Sequence, residues 1–379
     1  MLEFLFWLFL LLAAYSYFIY PLCLIALNAS QKDDANTARG SAPQSITIIV
    51  TAYNEENRIR SKIENTLAID IPVDDFEIVV ASDCSDDDTD SIVNEYAARG
   101  VKLVRASERL GKENAQWTAI QQAQGEILVF SDVATQIPQD ALQKLLAYFA
   151  NPIVGAVSSE DRFMSKDGGV AGEGAYVKYE MWLRKQESQL AGLVGLSGSF
   201  FAARKSVCQQ WDIHSPSDFN TALNCAQAGL KAVTAPDVLG YYEDLKDASK
   251  EYARKIRTVI RGMTALQRHP TVLNPMQFKL FAFQVISHKL MRWLVPWFLL
   301  GLFILSALLA TDGIIYALAL IGQLAFYGLA IAAHYGSALL RNNLIKIIYF
   351  FVQVNVAIFD ASCRFLSGVR MTTWKPSAR

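Results

Sequence analysis

The residues richest in chemistry stand in short polar runs, each placed just after an apolar one. Thr51-Ala-Tyr-Asn-Glu-Glu56, Ser82-Asp-Cys-Ser-Asp-Asp-Asp-Thr89 and Ser131-Asp-Val-Ala-Thr135 are the three acidic runs, and Gly111-Lys112 lies between the last two. Carboxylates and a cation so arranged suit a nucleoside-diphosphate ligand. One carboxylate accepts from a base N–H, another holds a divalent cation, and lysine and metal offset the diphosphate charge. Each run also has an ordinary structural use. Asn54 and the Glu55–Glu56 pair would cap and charge a helix start, the run at Asp83 would be a solvated turn, Lys112 a surface lysine and Asp132 a loop residue. A calcium loop fails on spacing, because Asp88 stands where an EF-hand needs glycine and Asn94 where it needs a bidentate glutamate.

Such residues act together only if the elements before them bring them together. Ser45–Thr51, Phe76–Ser82, Val101–Ala106 and Glu126–Ser131 are β-branched runs that predict buried strands. Glu55–Leu67, Asp88–Ala98, Glu113–Ala123 and Gln139–Ala150 carry helical periodicity between them. This alternation predicts an α/β fold with a mostly parallel, doubly wound, Rossmann-like sheet and right-handed crossovers. In such sheets ligands bind beyond the carboxyl ends of the strands. The acidic runs then face one crevice.

The flanks are of another kind. Of 379 residues 52% are hydrophobic and 19% charged, too apolar for an average soluble domain and too charged for a membrane bundle, so two unlike parts share the chain. Lys and Arg number 35 against 36 Asp and Glu; the net charge of -1 gives no field to hold nucleic acid. Five scattered cysteines without CxxC and four dispersed histidines without HExxH make a zinc or histidine metal site improbable. Phe4–Leu27 is uncharged and long enough to cross the roughly 30 Å hydrocarbon layer. A cleaved signal peptide is the competing reading, disfavoured by the length of the run, by Glu3 as the only charge before it and by the late Pro21. Lys32 and Arg39 after this span place the following domain in the cytoplasm. Leu294–Tyr335, broken by Thr311-Asp312-Gly313, reads as a helical hairpin. Leu344–Leu366 carries Lys346, Asp360 and Arg364 and reads as a further span or an interfacial helix, the basic tail (Arg370, Lys375, Arg379) favouring the latter by a small margin. Phe278–Trp293 mixes basic and aromatic residues, as an amphipathic helix on an anionic leaflet does. The expected order is a membrane helix at 1–30, the sheet domain at 44–262, an interfacial region at 263–293, membrane or interfacial helices at 294–366 and a basic tail at 367–379. The whole would sit in the inner (plasma) membrane.

From about Ser45 to Arg261 these motifs, in this order, resemble glycosyltransferase family 2, the inverting enzymes of GT-A fold. The likeness is to its membrane-embedded branch, which includes the catalytic subunits of cellulose synthase and poly-N-acetylglucosamine synthase. The resemblance implies that Thr51, Tyr53 and Glu55 line the nucleotide pocket, that Asp83 contacts the uracil and that Lys112 faces the nucleotide. It implies that Asp132 belongs to the metal-binding DxD segment, with Mg²⁺ or Mn²⁺ as the ion. The second acidic position is Ala134 here, so diphosphate oxygens and water would complete the shell. Gly195–Lys205 resembles the strand and turn that shape the acceptor side, and Ser215–Asn220 the segment that carries the catalytic base, here Asp218. The residues alone equally allow a capping box, Ser215 with Asp218, ahead of a helix over Phe219–Ala228. Arg254–Arg261 stands where processive members carry QxxRW, which is absent as written. Arg257 and Arg261, four apart on one helical face, would contact the diphosphate, or the run is a juxtamembrane basic anchor. The missing Trp weighs against chain polymerisation. The implied activity is inverting transfer from a nucleotide sugar, UDP-linked, to a polysaccharide or lipid-linked acceptor at the membrane. Single addition to a polyprenyl-phosphate-linked acceptor and a catalytically silent scaffold are the alternatives, and a need for partner subunits is left open.

Overall fold

The computed structural model describes residues 1–30, 43–164, 175–243 and 248–371. Lys32, Arg39 and the tail residues Lys375 and Arg379 lie outside the described residues. Two compact units are formed, one from Leu24–Lys246 with Thr264–Gln284, the other from Met1–Cys23, Asp247–Met263 and Val285–Arg370.

The N-terminal helical stretch Leu2–Ser30 consists of α1 (Leu2–Ala14), a π-helical turn at Tyr15–Ile19 and α2 (Tyr20–Ser30). The wider turn has a local cause. Pro21 lacks an N–H, and in a regular helix its ring would strike the carbonyl of Tyr17.

Seven strands make one sheet: β1 (Ser45–Ala52), β2 (Asp75–Ser82), β3 (Val101–Arg105), β4 (Ile127–Asp132), β5 (Val154–Met164), β6 (Phe200–Arg204) and β7 (Lys231–Glu243). Their spatial order is β3-β2-β1-β4-β6-β5-β7. The first four are parallel, β6 runs against both of its neighbours, and β5 and β7 are parallel. This is the mostly parallel α/β sheet that the strand-helix alternation predicts. The helices are α3 (Ile59–Leu67), α4 (Thr89–Glu95), α5 (Lys112–Gln122), α6 (Ala141–Tyr148), α7 (Ala175–Leu190) and α8 (Ser217–Gln227). Because strands buried on both faces put apolar side chains alternately up and down, two cores form. Ile46, Ile48 and Val50 pack with α3 and α6 residues on one face; Ile49, Leu128 and Phe130 pack with α5 and α8 on the other. There Phe130 stacks on Phe201 and Trp211 at 4.8 and 5.2 Å between ring centres.

After the sheet come α9 (Ala248–Arg268), α10 (Pro275–Val285), a π turn at Ile286–Leu290, α11 (Met291–Leu308), α12 (Ile314–Tyr335) and α13 (Asn343–Leu366). Four stretches among the described residues are long and apolar enough to cross a membrane: Leu2–Ser30, Pro275–Leu308, Ile314–Tyr335 and Asn343–Leu366. The basic-aromatic segment Phe278–Trp293 lies within a 34-residue helical stretch, bent at Lys279 where φ is 47°. The stretch at Leu344–Leu366 is a helix of 24 residues, comparable in length with the other three. Its Arg364 and Asp360 pair one turn apart at 2.7 Å, so that these two charges offset each other in a largely apolar helix that also carries Lys346.

In the unit that contains α1 and α11, Phe6 packs among Leu302, Leu305 and Leu309 and meets the Tyr316 ring edge-on at 4.9 Å. Phe9 lies so close over Gly301 that a Cβ there would sit 2.1 Å from its ring.

Candidate active site

The pairing register brings the acidic runs together. Thr51 stands beside Asp132 across β1 and β4, Ala52 stands beside Ser82 across β1 and β2, and the Asp83 N–H donates to the Ala52 carbonyl at 3.0 Å. Three adjacent strands therefore end at one level.

Asp83 is buried at the β2 end. Its Oδ1 accepts the N–H of Gly111 at 3.0 Å, while Oδ2 is buried without a hydrogen-bond partner among the described residues. Burial pushes this carboxyl up, against the pull of the Gly111 N–H and of Arg109. Gly111 has φ 111°, a conformation that suits glycine, and it opens α5 with its N–H aimed at Asp83. Tyr53 has the Arg109 guanidinium 3.8 Å from its ring centre, a cation–π contact. Thr51 is buried, and its hydroxyl likewise has no partner among the described residues.

Glu55 has a structural task as well. It is paired with Arg58 at 2.6 Å, its N–H donates to Thr89 Oγ1 at 2.7 Å and its carbonyl accepts from Arg58 and Ile59. This turn uses residues 55–58, which is why α3 starts at Ile59 and not at Glu55. Asn54 does not cap the helix. With φ 51° it exchanges hydrogen bonds with Asp86, joining the first acidic run to the second. Asp87 accepts from the Glu56 and Thr89 backbones, so part of the Asp83 run is engaged in holding loops.

The opposite side of the crevice is built on β4. Lys112, almost fully buried at the start of α5, donates to Asp132 Oδ1 at 2.6 Å and to the Gly198 carbonyl at 2.8 Å. The Asp132 N–H donates to Ser199 O at 2.9 Å. Beneath them lies Lys62, wholly buried, donating to Ser131 Oγ at 2.8 Å and to the Thr135 carbonyl at 2.6 Å. Burial lowers its ammonium to about 7, against the opposing pull of Asp132. These two bonds pin both ends of the segment that carries Asp132.

Asp218 sits in the first turn of α8. The capping box does not form: the N-cap is Pro216 with no side-chain cap, and Ser215 Oγ donates instead to Asp212 Oδ2 at 2.8 Å. Asp212 is held well below the usual carboxylate range. Burial opposes this, but His269, 3.6 Å away, and hydrogen bonds from Arg268, the His214 N–H and Ser215 prevail. Asp218 itself is partly exposed, and its carboxylate has no hydrogen-bond or ion-pair partner among the described residues. A Cβ on Gly198 would lie 3.5 Å from Asp218 Oδ2. Gly198 thus stands between Lys112, which its carbonyl meets, and Asp218, which its Cα faces.

Thr51, Tyr53, Asp83, Lys112, Asp132 and Asp218 all belong to the sheet unit. Arg257 and Arg261 lie one turn apart on α9 in the other unit. Lys62, Arg109 and Asp161 were not singled out in the sequence. Lys62 had a readable signal: with Ile59, Ile63 and Thr66 it falls on the buried stripe of α3 at helical spacing. Asp161, on β5, accepts from the hydroxyls of Ser197 and Ser199. Close packing pushes its carboxyl up although part of it still meets open space, and the two serines and Arg184 oppose that push.

Among the described residues no three or more His, Cys, Asp or Glu stand together as a metal-holding group. Asp132 alone fits a cation that keeps most of its shell in water and substrate phosphates, as Mg²⁺ does.

Residues 47–211 match the sequence model of Glycosyl transferase family 2. Among curated relatives, a beta-monoglucosyldiacylglycerol synthase of Synechocystis is 27% identical over 169 residues, 43% of this chain and 35% of that protein. A poly-beta-1,6-N-acetyl-D-glucosamine synthase of Staphylococcus aureus is 28% identical over 187 residues, 48% of this chain and 44% of that protein. The chain thus spans less than half the length of either. Among solved structures, the mannosyltransferase PcManGT of Pyrobaculum calidifontis, in complex with GDP-Man and Mn²⁺, superposes with a TM-score of 0.73 at 24% identity, over 97% of this chain and 99% of that one. At that identity the likeness is one of fold, of GT-A type.

Proposed function

We propose that the chain, whose residues 47–211 match the model of Glycosyl transferase family 2, is a membrane-bound glycosyltransferase. It moves a sugar from a UDP-linked donor to a polysaccharide or lipid-linked acceptor, with inversion in a single displacement. Asp218 takes the proton from the acceptor hydroxyl, which attacks the anomeric carbon from the face opposite the diphosphate. Lys112 offsets charge gathering on the leaving diphosphate. Asp132 would hold Mg²⁺ or Mn²⁺ together with diphosphate oxygens and water, and the ion when bound would stabilise the same leaving group. The observation that carries the reading is the unengaged Asp218 carboxylate, separated by Gly198 from the Lys112–Asp132 pair. A proton acceptor on one side and a cation on the other are what an in-line displacement requires.

The choice of uracil rests on Asp83. Its Oδ1 already accepts from Gly111, which leaves Oδ2 as one buried acceptor. Uracil offers a single N–H on its pairing edge, whereas guanine offers two adjacent donors. The relatives' names point to two acceptor classes, a diacylglycerol lipid and a glucosamine polymer, and the stretches long enough to span a membrane suit either. Missing QxxRW in Arg254–Arg261 favours a single addition to a lipid-linked acceptor as the second reading.

The test is nucleotide release by the purified full chain, screened across UDP- and GDP-sugars with and without lipid acceptors. UDP-sugars are expected to turn over; release from GDP-sugars alone would overturn the uracil assignment. A ladder of long products would exclude single addition. A chain whose melting temperature is unmoved by UDP with Mn²⁺, and which releases nothing, would be the silent scaffold.

A further inference from the structure

The segment Leu196–Ser199 is tied, residue by residue, to different parts of the site. The Leu196 N–H donates to the Asp218 carbonyl at 3.2 Å, the Gly198 carbonyl accepts from Lys112 at 2.8 Å, and the Ser199 carbonyl accepts from the Asp132 N–H at 2.9 Å. The two serine side chains, 3.0 Å apart, both donate to one oxygen, Oδ1 of Asp161. Asp161 lies on β5 beyond the pairing with β6, where Ser158 Oγ accepts the Ser197 N–H at 2.7 Å and Ser159 Oγ donates to the Phe200 carbonyl at 2.6 Å. This projecting end of β5 therefore grips the segment along its length. A carboxylate so crowded is costly to keep charged unless its hydrogen bonds are needed.

We propose that Asp161 is a positioning residue for sugar transfer: by holding the Ser197 and Ser199 hydroxyls on one oxygen it fixes Gly198, and with it the spacing between the Lys112–Asp132 pair and Asp218. Misplacement of reacting groups by about 1 Å costs on the order of a hundredfold in rate. Among the described residues no hydrogen bond of this network reaches Tyr53 or Asp83, so recognition of the base is spared.

The inference rests on the proposed transferase activity, and the experiment separates the two. If the wild-type chain releases no nucleotide from any sugar donor, the proposed function fails and this inference with it; if the wild type is active and Asp161→Ala equally so, only the inference fails. Expected for Asp161→Ala is a kcat lowered about 10- to 100-fold, with the donor KM and UDP affinity within about twofold. Asp161→Asn, which keeps the shape and an acceptor oxygen, is expected to recover most of the rate. Ser197→Ala with Ser199→Ala should lose as much as Asp161→Ala, and adding Asp161→Ala should lower kcat no further, since coupled residues are not additive. An Asn variant as slow as Ala would overturn the proposal, because the charge itself would then act on substrate. So would a serine pair without effect, or a loss of UDP affinity that matches the loss of rate. Should Asp161→Ala not fold, Asp161→Asn and the serine pair decide the matter.

Discussion

Asp83 and Asp218 are both carboxylates at one end of a sheet, and their surroundings divide their work. Asp83 is buried with one oxygen bound to a backbone N–H; Asp218 is partly open and unengaged among the described residues, as the proposed base must be. Asp218→Asn should therefore lower kcat about 10²- to 10⁴-fold, the range for loss of a general base, while UDP binding measured by calorimetry stays within twofold. Substantial transfer by that variant would remove Asp218 from the mechanism. Asp132→Asn should instead raise the Mn²⁺ concentration needed for half-maximal release, by roughly tenfold where a charged ligand becomes neutral; an unchanged metal curve would place the ion elsewhere. Lys62 makes a prediction about pH. Its folded value is lowered to about 7, so between there and the unfolded value near 10.4 the unfolded chain binds more protons and stability rises with pH. Melting temperatures of wild type relative to Lys62→Met should climb from pH 7 to pH 10, and a flat difference would show that Lys62 stays charged. Asp83 and Asp132 are legible in sequence because each stands at a strand end, and Lys112 because Gly111-Lys112 opens a helix between them. Asp161 is not, because its place depends on how far β5 projects past β6, and no local pattern encodes that.

At the scale of elements, the four parallel strands are readable to within a residue at each end because strands buried on both faces leave continuous β-branched runs. Of the other three, β6 falls within Gly195–Lys205, where the resemblance implies a strand and turn, whereas β5 and β7 are not readable. β5 ends in Ser-Ser-Glu-Asp-Arg and β7 contains Pro236, tolerated because β7 is an edge of the sheet. The sequence pattern puts helix starts too early where polar residues form turns, as at Glu55, since a turn and a first helical turn use the same residue types. One glycine shows how tightly the parallel core is closed. A Cβ at Gly125, just before β4, would lie 2.4 Å from the Ile46 and Thr47 backbones. Backbone cannot step aside as a flexible side chain does, so Gly125→Ala should lower stability by roughly 1–3 kcal/mol, read as a fall in melting temperature of several degrees. An unshifted melt would mean that β1 and β4 have more room than their register gives them.

At the scale of the whole molecule, 52% apolar residues resolve into a sheet unit with two cores and long helices with apolar side chains facing outward, among them Leu300, Ile304, Leu308, Ile314 and Ile321. A surface of that kind needs cover. The chain is expected to pellet with membranes and to resist extraction by alkaline carbonate, and recovery in the soluble fraction would remove the membrane from the proposed function. The close seat of Phe9 on Gly301 adds a matter of timing. The two residues are made almost three hundred positions apart, which at about 5–20 residues per second is some 15–60 seconds of synthesis. Throughout that interval the first helix exists without the partner its aromatic face is shaped for, and the whole sheet emerges in between. A bulkier residue at 301 would leave the catalytic sheet untouched during its own folding, and its effect would be felt only at the last stage of assembly.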